Sequence, residues 1–370
     1  MDSEVDNSTT SRIASLRFIA EFFNPYIQEV ILVICIIGLI FNTLIIIVYA
    51  KHNMNSVTNS VLLAIATSDT LVLMLYLSKL VVEKCSGPFL PEADLSKGIV
   101  YFLLMNTAFQ IGSHSATTAF TAILGLFRVV ILHKRSTQQV ISRKVLVWSL
   151  SLGCVLGLLM SIPYLALSEV TQENKGYWFQ IMNRNVEATY FLIQGVIKVL
   201  TSLLMIVLSA MIIVILEKAR KSHKFLASLH KPDKRESNRK SSALKIRQRS
   251  RQSHQTTVML ITVVVSFAIA EVPQGCLSIG IGIYNNLYED DGFIHDYYVP
   301  LGDLMDITVL LNSSWNFLLY CLMSEQFRSE FLKVFNLGCC LSKKRVGSTN
   351  FQQSQTIGPL SNSQQRLNNE

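Results

Sequence analysis

Charge is scarce in this chain. Asp, Glu, Lys and Arg make up only 16% of its 370 residues, whereas 50% are hydrophobic. A water-soluble domain of this size does not need so much apolar surface, so the shortage points to an integral membrane protein. Cysteine is sparse as well, and its seven positions (35, 85, 154, 276, 321, 339 and 340) form neither a C-x-x-C pair nor a His/Cys cluster at metal spacing. The odd count, with four of the seven inside apolar segments, argues against a disulfide framework, and no metal or cofactor is expected. No nucleophile–base set and no phosphate-cradling glycine loop is present either, so the expectation is a protein that is not an enzyme. The first twenty residues are polar and include Asp2, Glu4 and Asp6, which leaves no cleavable signal peptide to expect.

What is abundant is apolar sequence in long blocks, at about 26–50, 57–82, 98–132, 144–167, 188–216, 255–284 and 297–323. Each approaches or exceeds the roughly 20 residues that cross a hydrocarbon core. The net charge of +8 could suggest nucleic acid. The basic residues instead lie between the apolar blocks, so membrane topology is the better account and no nucleic acid is expected. Loops after blocks one, three and five hold Lys51, then Lys134, Arg135, Arg143 and Lys144, then a dense run from Lys218 to Arg251. Loops after blocks two, four and six are mixed or acidic, with Glu83, Glu92, Asp94, Glu169, Glu173, Glu289, Asp290 and Asp291. The positive-inside rule then places the N-terminus outside and the C-terminus in the cytoplasm. Residues 1–25 read as an extracellular tail, on which Asn7-Ser8-Thr9 fits an N-glycan acceptor.

The seventh block is two-faced. At roughly 100° per residue, Asp306, Ser313, Asn316 and Tyr320 share one side, while Leu304, Leu311, Trp315, Leu318 and Leu322 share the other. Acids in hydrocarbon are costly, so the polar stripe should face other helices or a wet cavity and the Leu/Trp stripe should face lipid. Such a helix implies a bundle around it. From Ser324 the pattern changes to Phe327, Phe331 and Phe335 among charged residues, a short amphipathic surface helix over 324–336.

Block three carries a single polar stripe of Asn106, Gln110, His114, Thr117, Thr121 and Arg128, which predicts a central helix. His114 is a ligand contact or a hydrogen-bonded packing residue. Arg128 is a partner-contacting switch or a snorkelling anchor. Asp69 in block two lies at mid-membrane, where it could hold a cation or bond to Asn312 or Asn316. Asn42 in block one needs a neighbouring partner. Gln194 and Lys198 in block five are spaced i, i+4, and a lysine so deep needs a counter-charge. Block six offers Glu271 beside Gln274, with Pro273 kinking the helix, so a Lys198–Glu271 pair on the cavity floor is expected. Beyond the surface helix, Cys339-Cys340 in a basic context reads as an S-palmitoylation site touching membrane lipid. Residues 337–370, rich in Ser, Thr, Asn and Gln after 341, read as a disordered cytoplasmic tail.

Gly38…Asn42, LAIATSD ending at Asp69, Arg128 closing block three, Pro273, Asn316…Tyr320 and the short surface helix occur in this order across some three hundred residues. The constellation resembles the rhodopsin-like (class A) G-protein-coupled receptors. EVPQG at 271–275 and the stretch 300–328 are similar to invertebrate, especially nematode, myosuppressin-receptor-like (FMRFamide-type) neuropeptide receptors. The resemblance implies an all-α membrane protein, a seven-transmembrane helix bundle over 26–323. It also implies a plasma-membrane receptor for an amidated, Phe-amide-type peptide, with a heterotrimeric G protein as partner and arrestin and a receptor kinase as further ones. On that reading Glu83, Asp303 and Asp306 would meet a guanidinium, with rim solvation the alternative for Glu83 and Asp303. Gln110, His114 and Gln274 would meet the terminal amide. Asn42, Asp69, Arg128, Pro273, Asn312, Asn316 and Tyr320 would transmit activation.

Three departures fit the subgroup: Phe127 beside Arg128, Phe317 after Asn316, and Glu271 where most of the superfamily has a tryptophan. Without a proline after Asn316, the seventh helix is expected to kink less than in other members of the superfamily. No cysteine stands near the outer end of block three or in the second outer loop, so the disulfide usual there is expected to be absent. Two other functions compete: a chemosensory G-protein-coupled receptor for a small molecule, and a transporter using Asp69, Lys198 and Glu271 as a proton or ion relay.

Overall fold

A computed structural model describes residues 2–51, 56–86, 95–133, 141–173, 176–181, 183–229, 262–263, 265–287 and 299–335, with side chains described from Tyr26 onward except at Ser86, Glu173, Gln180, 219–220, 223–229, 299–300, Asp303 and Met323. Four helices come first: α1 (Asp2–Tyr49), α2 (Val57–Ser86), α3 (Lys97–His133) and α4 (Arg143–Leu167). A β-hairpin follows, β1 (Ser168–Glu173) and β2 (Gly176–Ile181), then α5 (Arg184–Leu229) and α6 (Val265–Leu287). The chain continues through α7 (Val299–Ser314), α8 (Asn316–Met323) and α9 (Glu325–Val334).

Six of these helices are each long and apolar enough to cross a bilayer, and the broken stretch beginning at Leu304 makes seven. The molecule is therefore a mostly helical, multi-pass membrane bundle. In α1 the apolar span is Tyr26–Tyr49, and the helix extends back to Asp2, through the residues read as a tail.

Burial follows the two-faced patterns. On α3, Asn106, Gln110, Thr117 and Thr121 are all buried, so the polar stripe does face the interior. On α7 and α8, Ser313, Asn316 and Tyr320 are buried while Leu304, Leu311, Trp315, Leu318 and Leu322 are exposed. An inverted arrangement of polar inside and leucine outside is stable only where hydrocarbon, not water, surrounds the bundle.

Close approach comes from small residues. A Cβ on Gly157 of α4 would lie 2.5 Å from the Gly112 carbonyl of α3, and one on Gly195 of α5 would lie 2.7 Å from the Gly275 carbonyl of α6. No side chain fits at such separations, so each helix pair packs backbone to backbone. Ile31, Cys35, Val72, Leu73 and Leu310 fill an apolar cluster among α1, α2 and α7.

Two features go beyond the sequence expectations. The segment between α4 and α5 is an antiparallel hairpin in the register Ser168↔Ile181 to Glu173↔Gly176. The seventh helix is interrupted at Trp315 despite having no proline there. Trp315 adopts φ −89° and ψ 1°, and its carbonyl accepts from Leu318 N–H at 3.0 Å in a tightened turn. Beside the interruption, Asn42 Nδ2 of α1 donates to the Ser313 carbonyl at 2.9 Å, an acceptor that belongs to the α-helical ladder. α9 is amphipathic as expected, with Phe327 stacked on Phe331 at 6.2 Å and Phe331 against Phe335 at 4.8 Å.

Candidate functional site

Halfway through the bundle, helices that are otherwise apolar present charged groups to one another. His114 Nε2 of α3 meets Glu271 Oε1 of α6 at 2.5 Å, and Glu271 is 2% exposed. A carboxylate accepts only, so a neutral imidazole here carries its proton on Nε2 and donates it to Glu271. One turn further along α6, Gln274 Oε1 accepts from Lys198 Nζ of α5 at 2.6 Å. The expected Lys198–Glu271 bond is thus replaced. Glu271 is taken by His114, and Lys198 reaches the neutral amide while remaining within electrostatic range of Glu271. The reason is spacing. Gly195 and Gly275 bring α5 and α6 into backbone contact, and the Lys198 Cβ then lies against Gly275, beside Gln274.

Further members surround this floor. Asp306 of α7 takes a hydrogen bond from Tyr76 and lies within electrostatic reach of Lys79, Lys198 and His114. Gln110 is buried one turn above His114 on α3. Gln194 donates to the Tyr190 hydroxyl at 3.4 Å. Glu83 belongs to the last turns of α2 and pairs with Lys79, 3.8 Å away. The Asp303 side chain, like Cys339 and Cys340, lies outside the described residues; Asn7 falls within the α1 helix, its side chain likewise undescribed.

A second polar group ties the bundle together. Asp69 is 1% exposed, and its Oδ2 accepts from Asn316 Nδ2 at 3.0 Å, with Ser313 and Thr117 around it. Asn42 is fully buried and bonded to Ser313 as described above, while Asn312 is half-buried. Near the far end of α3, half-buried Arg128 is a neighbour of Tyr49, whose ring meets Tyr320 edge-on at 5.8 Å. Pro273 itself is exposed on α6.

Sequence reasoning overlooked the hairpin. The signal was the alternation in Glu169-Val170-Thr171-Gln172 and Tyr177-Trp178-Phe179-Gln180 flanking Asn174-Lys175-Gly176. One face of it carries Val170, Tyr177, Phe179 and Ile181, and the other Glu169, Thr171 and Trp178.

Comparison with known proteins agrees with this architecture. The family model for serpentine-type 7TM GPCR chemoreceptors, Srw, matches residues 29–338. The chain is 26% identical to the G-protein coupled receptor dmsr-1 of Caenorhabditis elegans over 85% of its own length and 69% of that protein's. It is 24% identical to the thyrotropin-releasing hormone receptor of Gallus gallus, covering 91% and 85% of the two chains. It is 25% identical to neuromedin-U receptor 1 of Homo sapiens, covering 92% and 80%. A family match spanning the bundle and reaching past α9 leaves one assignment: the chain belongs to the Srw family of serpentine seven-transmembrane G-protein-coupled receptors.

Proposed function

We propose that this receptor binds an extracellular peptide of the amidated, Phe-amide type and passes the signal to a heterotrimeric G protein. The observation that carries this reading is the convergence of His114, Glu271, Lys198, Gln274 and Asp306, from four helices, on one polar floor. A site so rich in donors and acceptors suits a ligand that brings several polar groups of its own. Relatives bearing the names of a thyrotropin-releasing hormone receptor and a neuromedin-U receptor support a peptide. Gln110, His114 and Gln274 would receive the terminal amide. Asp306, with Tyr76 beside it, is better placed for a ligand cation than Glu83, which Lys79 already holds.

In this reading the N-terminal residues face outward and carry a glycan on Asn7, and the chain after α9 is cytoplasmic and palmitoylated at Cys339 and Cys340. Asp69 with Asn316 links the ligand end to the end bearing Arg128 and Tyr320, where G protein, arrestin and receptor kinase engage. The family's description as chemoreceptors favours a second reading, a small diffusible ligand.

A dose–response screen of the receptor at the plasma membrane separates the two. Phe-amide peptides and small odorants are each applied with a panel of G proteins. Activation by peptides at submicromolar concentration is expected. Activation by odorants alone would overturn the peptide assignment, and transport of a solute without any G-protein response would overturn the receptor assignment.

A further inference from the structure

The hairpin between α4 and α5 has no cysteine to hold it, yet it is not loose. Cys85, at the end of α2, is a free exposed thiol, and neither β1, β2 nor the start of α3 contains another cysteine. Two non-covalent attachments take up the task. At one, the Tyr177 N–H of β2 donates to the Leu95 carbonyl at 3.2 Å, just before α3, and Leu95 is only 4% exposed. At the other, Phe179 of β2 meets the Tyr164 ring of α4 edge-on at 6.5 Å. Tyr164 in turn lies 6.1 Å from Tyr190 of α5, which packs on Phe191 at 5.8 Å. The two attachments are of different kinds: the Tyr177 N–H points from the strand edge in the plane of the hairpin, while the Phe179 ring stands on the face it shares with Val170 and Ile181.

We propose that this pair of attachments, the Tyr177–Leu95 backbone bond and the Phe179–Tyr164–Tyr190 ring cluster, is a releasable clasp that fixes the hairpin to α3, α4 and α5 in place of a disulfide. The consequence is physical rather than nominal. A disulfide constrains the loop whether or not the bundle is packed, while ring contacts and one hydrogen bond hold it only while α4 and α5 keep their spacing. The clasp therefore reports helix spacing to the hairpin, and the hairpin's Glu169, Thr171 and Trp178 face moves with it. Neither attachment depends on the identity of any ligand.

Amide hydrogen exchange on the full-length receptor in detergent micelles reads the clasp directly, region by region. In the wild-type chain the amides of 168–181 should be protected, and adding a phosphine reductant should leave that protection unchanged. Tyr164→Ala and Phe179→Ala should each speed exchange across 168–181 by tenfold or more while α2 and α3 keep wild-type protection. Tyr164→Phe, which preserves the ring, should behave as wild type. If Phe179→Ala does not fold, the milder Phe179→Leu carries the same comparison. Loss of hairpin protection on reduction would overturn the proposal by revealing a covalent tie. Wild-type protection in both alanine variants would overturn it equally.

Discussion

His114 and Glu271, 157 positions apart in the chain, meet at 2.5 Å and connect the central helix α3 to α6 two residues before Pro273. A buried carboxylate with one strong partner depends on that partner, because the alternative is an acceptor abandoned in hydrocarbon.

Removing one side of that bond should therefore cost more than removing both. His114→Leu is expected to destabilise the receptor by about 3–5 kcal/mol, whereas the double variant His114→Leu/Glu271→Leu should recover most of the loss. Thermal melting of detergent-solubilised protein measures both. Equal melting temperatures for the single and double variants would show that Glu271 does not rely on His114.

Lys198 offers a contrast on the same floor. Its hydrogen-bond partner Gln274 is neutral and Lys198 is only half-buried. Lys198→Met should cost about 1 kcal/mol, well under the penalty for His114→Leu, since an uncharged amide is easier to leave without a partner. The same melting series decides the order of the two.

Asn316 and Asp69 form a pair that can be inverted. Asn316→Ala strips Asp69 of its amide donor and should lower stability by about 1–3 kcal/mol. The exchange Asp69→Asn/Asn316→Asp keeps one carboxylate and one amide in contact and should melt above Asn316→Ala. Failure of the exchange to do so would mean that Thr117 and Ser313, rather than Asn316, set the environment of Asp69.

The break at Trp315 makes a backbone prediction. Asn42→Leu removes the donor that competes for the Ser313 carbonyl, so α7 and α8 should run on as one helix. Slower amide exchange over 315–319 in the variant is the expected signature. Unchanged exchange there would place the cause of the break within the segment itself.

Glycine at the α3–α4 contact tolerates no enlargement. Gly157→Val has to displace the Gly112 carbonyl and should cost at least about 1–3 kcal/mol, visible as loss of folded receptor at the cell surface. Gly98→Val, where a Cβ meets nothing within 4 Å, is the matched control.

These outcomes separate what the amino-acid sequence discloses from what it hides. Stripes are disclosed. Thr117 and Thr121 inside and Leu311 and Leu318 outside follow from helical period and the cost of polar groups in lipid, with no knowledge of the neighbours. Partners across helices are hidden, because they depend on how close two backbones come. Lys198 and Glu271 have complementary charge and compatible depth, yet the Gly195–Gly275 approach sets Lys198 against Gln274 instead. The contact beside the Trp315 interruption was hidden for the same reason, since Asn42 lies some 270 positions away in sequence from Ser313. The hairpin was concealed differently: its short strands sit between two long apolar blocks whose signal overwhelms a period of two.

The backbone contact between Gly112 and Gly157 has one more consequence. With no side chain between them, the separation of α3 and α4 at that crossing is set by main chain alone, so nothing there can be compressed to bring them closer. The crossing of Gly112 and Gly157 is therefore a joint whose gap is fixed, unlike the side-chain contacts elsewhere in the bundle.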